Sequence, residues 1–183
     1  MNVAVCMLNQ VCYAAWHSHA KKYNTTMLTT LLKSHLETPI GYVEVSGTEK
    51  GISAITFLDS PPEESSSDDV LSECIEQLKE YFDGSRVEFH SLSLRYPATD
   101  FQREVWDALM QIPFGEVITY GELAERSGHS GAARAVGTAM NVNPLPVIIP
   151  CHRVLPADRT IGEYAFGHNR KFWLLQHESV QCT

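Results

Sequence analysis

The residues with chemistry to offer lie late in the chain, in NPLPVIIPCHRVLP (143–156), where Cys151 is followed at once by His152. A cysteine attacks as its thiolate, and a free thiol with pKa of about 8.5 is only slightly ionised at neutral pH, so a nucleophilic cysteine needs a base or a cation beside it. His152 is such a base. Neighbouring side chains on a strand point to opposite faces, so the pair can cooperate only if the backbone turns between them. VIIPC (147–151) reads as a buried strand stopped by Pro150. A histidine that takes a thiol proton also needs an orienting acceptor, and Glu178, in the terminal WLLQHE, is the carboxylate we select. From these residues alone two readings stay open: a Cys151–His152–Glu178 relay, or one more buried thiol.

The elements that must position this segment are those of an ordinary globular chain. Its 183 residues, 44% apolar and 20% charged, can bury a core for one compact unit or two small lobes. Residues 1–27 show neither helical nor strand period and read as an extension, with Met27 an alternative start. The opening MNVAVCMLNQVCYAAWHSHA has no basic n-region, so a signal peptide is not expected. No stretch reaches the roughly 18 apolar residues needed to span a bilayer. IGYVEVSG (40–47) and GISAITFL (51–58) alternate as two strands joined by a hairpin turn at SGTEKG. After the polar loop PPEESSSDD, Asp68 or Asp69 caps a helix in which Val70, Leu71, Cys74, Ile75, Leu78, Tyr81 and Phe82 recur at helical period, with Gly84 ending it. Cys74 falls on that apolar face and reads as core. Thr99 or Asp100 then caps a helix bearing Phe101, Val105, Trp106, Leu109 and Met110, broken by IPFGE. Two short helices, YGELAERSG and AARAVGTAMN, flank the turn GHSG, which is helix-turn-helix spacing; many helical hairpins share it and never meet DNA. The second helix is nearly without bulk, which suits close approach to another body or tight packing on a neighbouring helix.

The five cysteines (Cys6, Cys12, Cys74, Cys151, Cys182) are odd in number and show no CxxC pair, which favours free thiols in a reducing compartment. Cys6, Cys12, His17 and His19 are of zinc-ligand type, but no turn chemistry folds them together. The formal charge of −8 argues against nucleic acid if only the average is read. Residues 1–97 carry 7 basic and 13 acidic groups and residues 98–183 carry 7 and 9, while the stretch 127–143 has Arg134 and no acid. A polyanion would be met there.

IPCHRV, preceded by FGEVITYGELA and ARAVGTAMNVNPLPV and followed by IGEYAFGHNRKFWLLQHE, resembles the O6-alkylguanine-DNA alkyltransferase family, the methylated-DNA–protein-cysteine methyltransferases, from about Phe101 to Glu178. ETPIGYVEV and GISAI extend the likeness back to about Leu36. The resemblance implies an α/β protein of the α+β kind. A ribonuclease-H-like antiparallel-sheet lobe would span 28–97 and a mostly helical lobe with a helix-turn-helix 98–183. It implies repair of guanine alkylated at O6, chiefly O6-methylguanine, by flipping the base out of double-stranded DNA and moving the alkyl group irreversibly to Cys151, one event per molecule. His152 would draw the thiol proton through a water, Glu178 would orient His152, and Asn143 would support the network. Tyr120 would meet guanine N3, and Arg134 would fill the gap left in the duplex. Ala133 and Thr138 would lie with Tyr120 and Arg134 against the minor groove, where bulk is a handicap. Met140, Pro146, Val154, Tyr164, Ala165 and Phe166 would line the lesion pocket. No metal and no cofactor is implied, nor any membrane contact. The family reading is of a monomer, cytoplasmic in a bacterium or archaeon and nuclear in a eukaryote.

The chain departs from the family in places. Thr48 and Ser53 stand where some members have zinc ligands. Ala165 and Phe166 replace a familiar serine and glycine, which predicts faster handling of methylguanine than of benzylguanine. Asn141 occupies a position that is basic in some members. Three rivals differ in class. Alkyltransferase-like damage markers replace the acceptor cysteine, which is present here. A cysteine hydrolase would want a Gly-rich oxyanion segment. A transcription regulator would want Arg, Asn or Gln on its reading helix.

Overall fold

LKSHLET (32–38) carries only two leucines, Leu32 and Leu36, yet it forms a strand because a partner edge is waiting for it. In the computed structural model, which describes residues 30–62 and 69–180, all described elements but Thr30 belong to the unit that begins at Leu31. Three antiparallel strands, β1 (Leu32–Thr38), β2 (Gly41–Thr48) and β3 (Gly51–Leu58), pair in the order β1-β2-β3. The sequence predicts the second and third. The first is half-buried along its length, so its alternation is weak, and Leu36 opposite Val43 supplies what apolar pairing it has. The β2–β3 register slips at Ser46/Gly47. There a Cβ on Gly47 would collide with the Gly51 carbonyl oxygen, so the bulge is open to glycine only.

The helix α1 (Asp69–Asp83) covers the sheet with Leu71, Cys74, Leu78 and Tyr81, all fully buried against Val43, Val45, Ile52 and Ile55. Gly84, at φ +85°, ends it. Cys74 is core, and burial pushes its thiol up to about 12, which leaves it unreactive. The extension 1–27 with Cys6, Cys12, His17 and His19, the stretch 63–68 with Asp68, and Cys182 lie outside the described residues.

In the second half, α2 (Asp100–Met110) starts from a capping box in which Thr99 and Gln102 satisfy each other's backbone N–H groups. It buries Val105, Trp106 and Leu109. A second capping box, Thr119 with Glu122, starts α3 (Tyr120–Arg126), and α4 (Ala133–Asn141) follows. The Trp106 indole N–H donates to the Ala139 carbonyl at 3.2 Å, fixing α4 on α2. A single helical turn at Cys151–Arg153 leads into β5 (Val154–Leu155), which pairs in parallel with β4 (Ile118–Thr119). The last helix is α5 (His168–His177). Because β4 runs directly into α3 and β5 runs directly out of the Cys151 turn, this two-residue ladder brings the start of the helix-turn-helix to the cysteine.

The strand expected at VIIPC does not form. Pro144, Pro146 and Pro150 remove three ladder donors, and the chain coils instead. The Ile149 N–H bonds the Leu145 carbonyl at 2.8 Å, and Val147 sits at φ +77°, a conformation costing a β-branched residue about 1–3 kcal/mol. Pro150, at φ −81° and ψ 61°, centres an inverse γ-turn in which the Cys151 N–H donates to the Ile149 carbonyl at 2.8 Å.

Candidate active site

The coil resolves the problem of adjacency. On a strand Cys151 and His152 would face opposite ways, but in the tight turn both are buried, Cys151 at 3% exposure and His152 at 0%. Asn143 ties the coil together. Its Nδ2 donates to the Ile149 carbonyl at 2.8 Å and to Sγ of Cys151 at 2.9 Å, and its Oδ1 accepts from the Leu145 N–H at 3.0 Å. The thiol in turn points to the Tyr164 oxygen at 3.7 Å.

His152 Nε2 lies 2.9 Å from Glu178 Oε1. Glu178 comes from the end of α5, 26 residues on, and is buried. An ionised carboxylate only accepts, so Nε2 carries the proton and Nδ1 is left with a free lone pair. Nδ1 has no hydrogen-bond partner among the described residues. Glu178 also receives Arg153 through Nε and Nη2, both at 2.8 Å, the Tyr81 hydroxyl at 2.7 Å, and the Gly115 N–H at 3.3 Å. The third guanidinium nitrogen, Nη1, donates to the Ile112 carbonyl at 2.6 Å.

Burial raises the Cys151 thiol above its ordinary pKa, partly offset by the Asn143 and Tyr164 hydrogen bonds and by the field of Lys171. The resting cysteine is therefore a thiol, and a base must act. Burial also lowers His152, against the pull of Glu178, and Arg153 and Lys171 push the same way. The imidazole is neutral and able to accept. Burial would raise Glu178, but His152 and then Arg153, each through its hydrogen bonds and its field, hold it well below the usual carboxylate range. Lys171, fully buried on α5, donates from Nζ to the Val154 carbonyl at 2.8 Å and lies 6.0 Å over the Tyr164 ring, a cation placed where a thiolate would benefit.

Beside this cluster, α4 buries Val136, Ala139 and Met140 and turns Arg134, Ala135, Thr138 and Asn141 outward. Ala133 is half-buried, and the Thr138 hydroxyl donates back to the Arg134 carbonyl at 3.3 Å. Apart from Arg134, the outward face carries only short side chains. Gly137 faces the ring of Tyr120. Burial and the neighbouring Cys151 raise the Tyr120 phenol, so it stays a donor. Of the expected pocket residues, Tyr164 meets the thiol directly. Met140 lies in the last turn of α4, Pro146 bridges to Ile149 within the coil, and Val154 opens β5, all three buried. Ala165 is exposed. The Phe166 ring stacks edge-on with Phe57 at 5.7 Å and Tyr164 at 5.3 Å, so its bulk is turned toward the sheet. Thr48 closes the β2–β3 hairpin, and the Ser53 hydroxyl donates to the Ser46 carbonyl.

A buried cysteine next to a histidine–carboxylate pair, set beside a helix-turn-helix, has the parts of a thiol nucleophile placed near a candidate nucleic-acid surface. The comparisons with known proteins make this specific. Residues 31–96 match the ribonuclease-like domain of 6-O-methylguanine DNA methyltransferase, and residues 100–180 match its DNA binding domain. The chain belongs to this family. It is 41% identical over 149 residues to a methylated-DNA–protein-cysteine methyltransferase of Methanosarcina barkeri, covering 78% of this chain and 94% of that one. The crystal structure of the Mycobacterium tuberculosis O6-methylguanine methyltransferase is similar at TM-score 0.73 and 37% identity, over 81% of this chain and 93% of that one. A structure of the M. tuberculosis protein in complex with DNA is similar at TM-score 0.71 and 38% identity, over 80% and 91%. The α+β architecture, a small antiparallel sheet followed by a mostly helical region, is the fold of these relatives.

Four residues of the site escape sequence reasoning. Arg153 stood next to the selected pair, and a charge inside an otherwise apolar run is a usable signal. Lys171 and Gly115 gave none. Tyr81 looked like one more apolar residue at helical period.

Proposed function

We propose that this protein repairs guanine alkylated at O6, chiefly O6-methylguanine, in double-stranded DNA, as a methylated-DNA–[protein]-cysteine S-methyltransferase that acts once. The observation that best supports this is the buried chain of hydrogen bonds from Asn143 to the Cys151 sulfur, beside a neutral His152 whose Nε2–H is held by Glu178. His152 Nδ1 takes the thiol proton through a water. The thiolate attacks the alkyl carbon in line with the C–O6 bond; the S–C bond forms as the C–O6 bond breaks, and the electron pair leaves on guanine, which Tyr120 stabilises by donating to N3. A water-poor pocket lined by Met140, Pro146, Val154 and Tyr164, with the backbone of Ala165 and Phe166 at its mouth, shields the step. The small-residue face of α4, with Ala133, Arg134 and Thr138, enters the minor groove, and the protein works as a monomer, in the cytoplasm of a bacterium or archaeon or in the nucleus of a eukaryote. Residues 28–97 form one domain and 98–183, which bears the acceptor and the DNA-binding helices, the other.

Incubation with a duplex carrying one O6-methylguanine, followed by intact-mass measurement, tests this reading: one methyl per molecule on Cys151, without turnover. An unchanged mass refutes it.

Arg134→Ala should slow repair of the duplex by about 10-fold or more, since base extrusion costs a few kcal/mol, and leave the reaction with free O6-methylguanine base unchanged. Equal slowing of both would remove Arg134 from the flipping step.

The methylated protein should melt at a lower temperature than the free one. Cys151 is packed at 3% exposure with Asn143 and Tyr164 on its sulfur, and an extra methyl in a filled site costs about 1–3 kcal/mol. Thermal unfolding before and after reaction reads this directly.

A further inference from the structure

Tyr81 is a first-half residue sitting in a second-half reaction site. It ends the apolar stripe of α1, is fully buried, and its ring is fixed by Phe82, Phe89, Phe114 and His177 at centroid distances of 5.3, 5.6, 6.1 and 5.2 Å. His177 Nε2 lies 2.6 Å from the Tyr81 carbonyl oxygen, so α5 grips its backbone too. A core tyrosine so held has no freedom to aim its hydroxyl elsewhere, and it aims at Glu178 Oε1, at 2.7 Å. That oxygen already receives the His152 Nε2–H at 2.9 Å and Arg153 Nη2 at 2.8 Å.

We infer that Tyr81 is a positioning residue of the alkyl-transfer site, acting on Cys151 through Glu178 and His152 and never by contact. The inference rests on the repair function proposed above. Three donors share one carboxylate oxygen that offers two in-plane lone pairs. Each donor that draws on Oε1 weakens its hold on the others. The Tyr81 hydroxyl thus limits how tightly Glu178 can hold an imidazolium, which keeps His152 in the neutral form that accepts the thiol proton. The other charged and titratable groups facing this pair are Arg153 from the Cys151 turn, Lys171 and His177 from α5, Cys151 itself, and Tyr164 from the loop before α5. Arg153 and Lys171 oppose protonation of His152, in the same sense as Tyr81. The sheet-and-helix domain thereby contributes a working group to a reaction whose acceptor lies in the other half of the chain.

Tyr81→Phe keeps the ring and deletes the donor. With one competitor gone, Glu178 holds the imidazolium more strongly, so His152 protonates at higher pH. The acid limb of the rate of Cys151 methylation by O6-methylguanine duplex, with protein in saturating excess, should move up by about half to one pH unit. The alkaline plateau should stay within about twofold. Tyr81→3-fluorotyrosine, a stronger donor of nearly the same shape, should move the limb the other way and covers the case in which the phenylalanine variant fails to fold. The midpoint of His152 ring titration, read by nitrogen-15 NMR on the unreacted full chain, should shift in the same two directions. That midpoint decides the role of Tyr81 even if the wild-type protein leaves methylated DNA untouched, an outcome that sinks the repair reading instead. Profiles that coincide, or that fall by one factor at every pH, would show that Tyr81 only packs.

Discussion

Cys151→Ser should leave O6-methylguanine in the duplex, with transfer reduced by on the order of 10⁴-fold or more, the scale on which removing a catalytic nucleophile acts in other enzymes. The loss follows from the atom and not from the fold. A serine Oγ can accept from Asn143 Nδ2 as the sulfur does at 2.9 Å, and the smaller side chain fits a buried position without strain. What it cannot do is ionise. The Cys151 thiol is already raised by burial, and a hydroxyl, a weaker acid by several units, would be left un-ionised beside a neutral imidazole. Attack on saturated carbon offers no carbonyl oxygen for a donor pair to stabilise, so nothing else in the pocket can substitute for nucleophile strength. The variant should bind methylated duplex as the wild type does and keep its mass unchanged after long incubation. Loss of the lesion in its presence would mean that the carbon goes somewhere other than residue 151.

Much of this site was readable before any coordinate. PCHRV offered a candidate nucleophile and base and WLLQHE a carboxylate, with a plain buried thiol left open, and the structure brings His152 and Glu178 together beside Cys151. Asn143 and Tyr120 came only with the family resemblance; in the structure one bonds the sulfur and the other begins α3 beside it. The helices were legible for a different reason. Phe101, Val105, Trp106, Leu109 and Met110 behind a Thr99 or Asp100 cap predict α2, and the cap falls on Thr99, whereas the Thr119–Glu122 box that starts α3 is a finding of the structure. The misreadings share a cause as well. Strand β1 depends on the edge of β2 rather than on its own alternation, and VIIPC has a strand's composition but lies among prolines that deny it a ladder. Tyr81 and Lys171 were invisible because their roles are set by what arrives from elsewhere in the chain: a carboxylate 97 residues away in one case, a carbonyl of β5 in the other. Long-range polar pairing leaves no local period to detect.

Glu178→Gln should produce the largest loss of stability of any single change at the site. The carboxylate takes five donors, from Tyr81, His152, Gly115 and twice from Arg153. An amide has one acceptor oxygen and presents its own N–H to groups that also donate, and it leaves the Arg153 guanidinium, 6% exposed, without a counter-charge. Breaking a buried pair from one side costs about 3–5 kcal/mol, a large part of the 5–15 kcal/mol that holds a typical domain folded. Urea denaturation at pH 7 reads the difference, and Arg153→Met added to Glu178→Gln should recover part of it, because an apolar neighbour no longer needs the charge. Acid supplies a second check. Glu178 titrates well below its ordinary range in the folded chain, so its contribution is present above the ordinary carboxylate pKa of about 4.3 and is lost as pH falls through and below that value. The wild type should therefore weaken on acidification by a component that the glutamine variant lacks, and the gap between them should narrow from pH 7 toward about pH 3. A gap that stayed constant would mean that the Glu178 carboxyl has the same pKa folded and unfolded, so that its donors, Arg153 among them, contribute nothing to folding through its charge.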